Sequence, residues 1–347
     1  MEKIIIGMSG GVDSSVAALL LKEQGCECAG VFMYNWEEKD DSGVCCAQED
    51  YDDVRRVCDK IGIPYYTVNF VKEYYERVFS YFLKEYEAGR TPNPDILCNK
   101  EIKFKAFLNF ARQLGADRLA TGHYAQLEKR DGLSALLRAK DENKDQTYFL
   151  CALNQEQLSK SMFPIGGLLK SEVRELARAR GLVTAAKPES QDICFVPDGD
   201  YARFIEGRCG ADTAFNPGEI VDREGRVLGE HAGLIRYTIG QRKGIGVAAR
   251  EPLYVLGKDA FANRLIVGFK DELLSVGVVA SDVNFISGDV WQGPREVLVK
   301  THYRQRPVPA VAEQTGVDEL TVAFDEPQRA AAPGQAAVLY EGDIVLG

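Results

Sequence analysis

The chain has 347 residues, is 45% hydrophobic and 27% charged, carries a formal net charge of −10 and contains nine cysteines. That composition suits a soluble protein long enough for two or three separately cored units. Met-Glu-Lys followed by three isoleucines is too short and wrongly charged for a signal peptide, no apolar run approaches a membrane span, and the acidic balance argues against indiscriminate nucleic-acid binding. The expected compartment is therefore the cytoplasm, where cysteines stay reduced.

In chain order, Ile4 to Gly7 predicts a strand and Ser14 to Gln24 an amphipathic helix. Between them runs Ser9-Gly10-Gly11-Val12-Asp13-Ser14-Ser15. Two glycines permit a tight turn with backbone N–H groups presented outward, and the serines add hydroxyl donors where a helix N-terminus already favours an anion. This is a phosphate cradle. It lacks the Gly-Lys-Ser/Thr of a Walker loop, since no lysine follows before Lys22. The string instead resembles the pyrophosphate loop of ATP pyrophosphatases, which split ATP between its α and β phosphates to adenylate an oxygen.

Further runs, Cys28 to Met33, Asp50 to Ile61 and Tyr65 to Asn69, continue the alternation of strand and helix that marks a parallel α/β unit. Asn93-Pro94-Asp95-Ile96-Leu97-Cys98 has a capping residue and a proline at the first helical position, so a helix start is expected there. Asp95 and Cys98 are then three apart on one face, which makes Cys98 a candidate nucleophile and Asp95 a candidate general base; a half-buried cysteine near a cap is the plain alternative. A helical stretch from Glu101 to Leu114 leads to a strand, Arg118 to Thr121, with Gly122-His123 at its C-terminal end, where ligands of open parallel sheets collect. Charge is uneven along this half. Trp36 to Asp53 holds eight acids and one lysine, whereas Lys100 to Lys144 holds ten bases against six acids. A basic face on an acidic protein is therefore possible.

From Phe204 onward Gly and Pro punctuation and short β runs, such as Leu253 to Leu256 and Leu265 to Val267, predict a small β-rich unit. From Leu273 the runs Val297 to Thr301, Leu320 to Phe324 and Ala336 to Tyr340 predict a second, barrel-like unit. The expected division is 1–203, 204–272 and 273–347. No cysteine pair has zinc-site spacing, so no metal ligands are assigned and most cysteines are expected to be small buried hydrophobes. His231 has no nucleophile or metal partner nearby in sequence and is read as structural or solvent-facing.

Taken together, SGGVDSS, DILC and the later Cys194 in Lys187-Pro188-Glu189-Ser190-Gln191-Asp192-Ile193-Cys194-Phe195 resemble the bacterial tRNA-specific 2-thiouridylase family, MnmA. Ala88 to Phe107 is similar to a family block nearly throughout, as are Ala120 to Ala125, Lys144 to Leu150, Ile239 to Gly246 and His302 to Gln305. The resemblance implies an N-terminal pyrophosphate-loop domain of the adenine nucleotide alpha hydrolase type, then a central β-rich and a C-terminal β-barrel domain. It implies ATP binding by Gly7, Met8, Ser9, Gly10, Gly11, Val12, Asp13 and Ser14, with Met33 and Gly122 near the adenosine and Mg2+ as companion ion. It implies adenylation of O2 of the wobble uridine, position 34, in tRNA for lysine, glutamate and glutamine. Cys194 would receive a persulfide from a cysteine desulfurase or sulfur relay protein, Cys98 would free the sulfur and end in a disulfide with Cys194, and Asp95 would be the general acid/base. Asn93, Pro94 and Asp95 would meet the base. His123, Lys144, Asp145, Gln146, Tyr303, Arg304 and Gln335 would contact the tRNA, with Lys and Arg suited to phosphates and Tyr303 to stacking.

Relatives usually continue past Asp343-Ile344-Val345-Leu346, so a shortened last strand is expected to touch the barrel's edge. Three competing readings stand beside the main one. An iron–sulfur cluster held by Asp95, Cys98 and Cys194 could carry the sulfide, although such clusters usually take four cysteines. An ATP pyrophosphatase acting on a small molecule would leave the paired cysteines unexplained. A non-catalytic tRNA-binding or sulfur-carrier protein would not release pyrophosphate.

Overall fold

The structure, a computed structural model, describes residues 1–36, 47–188, 216–329 and 331–347. Seven strands belong to the first half: β1 (Lys3–Met8), β2 (Glu27–Tyr34), β3 (Tyr65–Asn69), β4 (Arg118–Ala120), β5 (Gln126–Arg130), β6 (Leu133–Leu137) and β7 (Ser161–Met162). Five of them form a parallel sheet in the order β3-β2-β1-β4-β7. The chain winds outward from β1 through β2 to β3 and then returns to lay β4 on the other side of β1. That reversal opens a crevice at the C-terminal ends of β1 and β4, the usual ligand position in such sheets.

The isoleucine run at the start explains why β1 is central. Ile4 and Ile6 join Met8, Val54, Val57 and Cys58 in the core beneath helix α2 (Ala47–Ile61), while Ile5 faces the opposite layer with Phe107 and Leu119. Alternate residues of one strand thus bury against two helical layers. Helix α1 (Val12–Glu23) begins two residues earlier than the sequence pattern suggests and buries Val12, Val16 and Ala17 against Tyr124, Ile165 and Val173.

The helix start at Asn93-Pro94 and the helical stretch from Glu101 are one continuous helix. It starts at Pro94 and runs to Gln113, but Cys98–Ala106 is wound as a π-helix between the α turns Pro94–Leu97 and Phe107–Gln113. Apolar positions at Ile102, Phe104, Phe107 and Leu108 are all buried, so tertiary packing holds a wider winding than sequence periodicity would select.

The second half is β-structure. Strands β8 (Gly218–Val221), β9 (Val227–His231), β10 (Tyr254–Asp259) and β11 (Arg264–Gly268) make a four-stranded sheet. Strands β12 (Leu274–Ser281), β13 (Arg295–Lys300), β14 (Val308–Gly316), β15 (Glu319–Arg329), β16 (Val338–Glu341) and β17 (Ile344–Val345) form an antiparallel array. The expected order of a parallel-sheet unit, a small β unit and a larger β unit is present.

Two features differ from the sequence reading. The β5–β6 hairpin was not anticipated, and it extends the C-terminal array into an eight-stranded sheet, β12-β15-β14-β13-β16-β17-β6-β5. Strand β17 is therefore interior rather than an edge: Tyr340 pairs with Val345 and Ile344 with Leu137, and the Arg138 N–H donates to the Asp343 carbonyl at 2.9 Å. The last strand joins the barrel to the N-terminal unit. His231 takes the structural of its two expected roles: it is buried, Gly233 N–H donates to its Nδ1 at 3.1 Å, so its Nε2–H donates to the Asn263 carbonyl, and it clasps two loops.

Candidate active site

The phosphate cradle closes directly over the crevice. Gly10 takes φ +76°, and a Cβ there would meet the Asp50 backbone at 2.7 Å, so only glycine fits the turn. Ser14 Oγ and Ser15 Oγ donate to the Gly11 carbonyl at 3.2 and 2.8 Å, while Ser9 N–H donates to Ser14 Oγ at 3.2 Å. Gly11 caps α1 without a side chain, which leaves the first-turn N–H groups to an incoming anion. Met8 is buried at the end of β1, and Gly7 packs so closely that a Cβ would lie 3.1 Å from Phe107.

Asp13 does not face the anion alone. Both of its oxygens accept from Lys170 Nζ at 2.7 Å, and Tyr124 Oη donates to Oδ1 at 2.9 Å. Lys170 opens the helix Lys170–Ala179, so the loop is tied to a helix more than 150 residues away. A second tie runs through Lys187, which binds Asp50 at 2.7 Å and Asp53 at 2.5 Å. Burial alone would lower the Lys187 pKa, but the two carboxylates raise it above the ordinary lysine value. The chain leading towards Cys194 is thereby anchored beside the cradle, and Cys194 itself lies outside the described residues.

Gly122 shows why glycine follows β4. A Cβ there would stand 2.6 Å from Ser14 N and 2.7 Å from the Asp13 carbonyl carbon, so β4 presses on the cradle's backbone. Met33 is next to last in β2, half-buried against the core at the same end of the sheet.

Asn93 caps the helix carrying Asp95 and Cys98 as expected, accepting from Asp95 N–H at 3.2 Å and Ile96 N–H at 3.4 Å, with Pro94 buried at the first position. Asp95 is exposed at its surface while protein crowds around it. That desolvation pushes its carboxyl pKa up, and Lys103 partly opposes the shift. A raised carboxyl suits proton transfer near neutral pH. Cys98 is buried one turn further on, and Asn99 fixes this turn by donating to the Phe149 carbonyl at 3.0 Å.

His123 is 8% exposed, packed between Phe104 and Phe163, with Nδ1 2.7 Å from Thr121 Oγ1. Burial, helped by the Lys103 charge, holds its pKa well below the ordinary value, so the imidazole is neutral. It can offer a hydrogen bond but no charge for a phosphate. Lys103 thus bears on both Asp95 and His123. Sequence reasoning missed it, although it lies in the basic stretch and two turns beyond Asp95. Lys170 and Tyr124 left no local signal at all.

The expected tRNA contacts fall into two groups. Lys144 and Tyr303 are half-buried and Arg304 is exposed. Tyr303 stands 4.4 Å, ring to ring, from Phe149, whose carbonyl holds Asn99, so the barrel surface touches the turn carrying Cys98. Asp145, Gln146 and Gln335 are engaged internally. The Asp145 side chain is 1% exposed and accepts from Thr147 Oγ1 at 2.9 Å and Ala139 N–H at 3.2 Å, with Arg138 and Lys300 nearby. Its carboxylate is spent on joining the two units. Gln146 accepts from Tyr124 N–H at 2.8 Å. Gln335 donates to the Thr91 carbonyl at 2.7 Å, and Thr91 N–H donates to the Pro333 carbonyl at 2.8 Å. A barrel loop therefore holds the residues leading into Asn93.

Other cysteines behave as small hydrophobes. Burial pushes the thiols of Cys28, Cys58 and Cys151 up to about 11, 12 and 12. Among the described residues no three His, Cys, Asp or Glu side chains are grouped to hold a metal ion, and no helix is long and apolar enough to cross a membrane.

Comparison with known proteins adds to this geometry. A family model described as a tRNA methyl transferase HUP domain matches residues 2–198, a tRNA methyl transferase PRC-barrel domain matches 204–269, and an aminomethyltransferase β-barrel domain matches 275–347. The tRNA-specific 2-thiouridylase MnmA of Bacillus licheniformis is 53% identical over 351 residues, covering 99% of this chain and 93% of that one. The proteins of the same description from Streptococcus sanguinis and Bacillus subtilis are 53% and 52% identical, each across 99% of this chain and 94% and 93% of theirs.

Proposed function

We propose a mechanism from one premise: the chain belongs to the tRNA-specific 2-thiouridylase family and transfers sulfur to C2 of a uridine in tRNA. ATP is the co-substrate, its phosphates received by Gly7 to Ser14 and its adenosine lying towards Met33 and Gly122. The observation that carries this is the open first turn of α1 at the sheet's reversal, with the Asp95–Cys98 turn on the neighbouring helix. Asp13, held by Lys170 and Tyr124, shapes the loop; magnesium would enter on the nucleotide's phosphates, where it offsets their charge.

The target is the wobble uridine at position 34 of tRNA for lysine, glutamate and glutamine. Its base must leave the anticodon stack to reach the recess at Asn93, Pro94 and Asp95. Uridine O2 attacks the α phosphate and pyrophosphate leaves, which turns O2 into a leaving group. Asp95, whose raised pKa lets it hold and return a proton, serves as general acid/base. The terminal sulfur of a persulfide on Cys194 attacks C2 and AMP departs. The Cys98 thiolate then attacks the Cys194 sulfur, breaking the S–S bond so that the outer sulfur stays on C2 and a Cys98–Cys194 disulfide forms. A thiol reductant resets the pair, and a cysteine desulfurase or sulfur relay protein reloads Cys194. Lys144, Tyr303 and Arg304 grip the tRNA from the surface; His123, Asp145, Gln146 and Gln335 support that grip from beneath.

The test is sulfur transfer to unmodified tRNA for glutamate, with ATP, magnesium, cysteine and a cysteine desulfurase, on a gel that retards thiolated RNA. Wild type should give a retarded band, and Cys98→Ser and Cys194→Ser none. A full band from either variant overturns the two-cysteine chemistry.

A further inference from the structure

The central β unit carries a feature that the mechanism does not use. From Ala232 to Arg250 the sequence contains Arg236, Arg242, Lys243 and Arg250 and no acid, in a chain of net charge −10. Among the described residues the remaining arginines of this unit are paired: Arg223 with Glu272, Arg226 with Asp222, Arg264 with Glu219. The side chains of Arg242, Lys243 and Arg250 are exposed and make no ion pair or hydrogen bond with the described residues. Arg242 and Arg250 line a recess of about 480 Å3 formed by Arg242 and residues 244–253, with Lys243 adjoining it in the chain and Glu251 as the one acid of its lining.

The loop is built rather than slack. Gly240, Gly244 and Gly246 take φ of +84°, +79° and +79°, and Gln241 braces the turn by accepting from Thr238 N–H at 3.0 Å and donating to the Lys243 carbonyl at 2.9 Å. Ile245 is 5% exposed and nails the loop into the core of Ile220, Leu234 and Val255. No backbone N–H from Gly244 to Arg250 donates to another group of the described protein. Cations carried on a braced loop beside open amides are the chemistry of phosphate recognition.

We propose that this loop binds the phosphate backbone of the tRNA substrate, away from the base being thiolated, so that the central unit is a third point of RNA contact. The proposal rests on the tRNA-thiolation reading. An acidic protein must concentrate positive charge locally to hold a polyanion, and unpaired cations release counterions when they meet phosphates.

The experiment is filter binding of unmodified full-length tRNA to the whole protein between 50 and 300 mM KCl (roughly the range over which phosphate contacts are lost), without ATP or sulfur donor. Three lost phosphate contacts predict that Arg242→Gln/Lys243→Gln/Arg250→Gln lowers the slope of log K against log salt by about 2 and weakens binding at least roughly tenfold near physiological salt. The paired change Arg242→Lys/Arg250→Lys should keep most of the slope. A control, Arg55→Gln/Lys72→Gln/Arg77→Gln, removes equal formal charge from the N-terminal unit and should leave the slope unchanged. An unchanged slope in the loop variant, equal loss in the control, or no tRNA binding by wild type overturns the contact. Wild type that binds tRNA but never thiolates it defeats the mechanism and leaves this contact standing.

Discussion

Gly122→Ala isolates the coupling between β4 and the phosphate cradle. Gly122 does not have a left-handed backbone, so alanine brings no conformational strain and acts only through its methyl group. That methyl would lie 2.6 Å from Ser14 N, 2.7 Å from the Asp13 carbonyl carbon and 2.9 Å from Ser14 Cα, where ordinary contact begins at 3.4 Å. All three atoms are backbone, and the helix behind them cannot retreat because Val16, Ala17 and Ala18 are completely buried. The cradle must therefore shift by about 0.8 Å, close to the ~1 Å misplacement that costs a positioned reaction about a hundredfold. The overpacking should cost about 1–3 kcal/mol of stability. The assay is tRNA-dependent pyrophosphate release, with the ATP dependence measured separately, and expects a fall of about a hundredfold with weakened ATP binding. Gly167→Ala is the control, since its methyl would meet nothing closer than Gln126 Oε1 at 4.0 Å. A Gly122→Ala enzyme within threefold of wild type in both rate and ATP dependence refutes the reasoning.

Lys170→Met removes both contacts to Asp13 and should lower pyrophosphate release about tenfold to a hundredfold, with Lys170→Arg recovering part; equal rates for all three proteins would remove Lys170 from the site. His123 is buried neutral, so its folded pKa lies below the unfolded 6.5. Its contribution to stability is full above that pH and is lost as pH falls towards the folded value, at up to about 1.4 kcal/mol per pH unit. Urea denaturation between about pH 8 and pH 5, spanning that ordinary histidine pKa, should show wild type losing stability faster than His123→Gln, and parallel curves would contradict the assignment. Gly334 has φ +93°, and a Cβ there would lie 3.0 Å from the Thr91 carbonyl group, so Gly334→Ala should cost about 1–3 kcal/mol locally and loosen the lead into Asn93. Its thiolation kcat should drop while tRNA affinity holds; an unchanged kcat means that the barrel loop does not position the catalytic turn.

The two halves of the molecule are coupled at more than one level. Lys300 lies beneath the Tyr148 and Tyr303 rings, near Asp145, and burial lowers its pKa while the Asp145 carboxylate opposes that shift. Tyr148 Oη donates to the Ala336 carbonyl at 3.1 Å. Tyr303 is thereby linked, through Phe149 and Asn99, to the turn bearing Cys98.

The features legible in the residue order are those whose chemistry is local. The Gly-Gly turn between an isoleucine strand and a helix specifies a phosphate loop because both the turn and the exposed first-turn amides depend on neighbouring residues only. Asn93 and Pro94 mark a helix start for the same reason, and the fold order followed from hydrophobic period and punctuation. What only the tertiary structure decided involves long separations and burial. Lys170 reaches Asp13 across 157 residues, and Gln335 reaches Thr91 across 244. The β5–β6 hairpin joins the barrel sheet because β17 offers it a partner, a pairing invisible to local pattern. Gly122 reads as a ligand neighbour in sequence, yet it is required by the backbone of another strand's loop. Asp145 and His123 read in sequence as contacts for the tRNA, yet packing encloses both, leaving one carboxylate spent on internal hydrogen bonds and one imidazole without charge. Burial sets the protonation and reach of a side chain, and burial is a property of the whole fold.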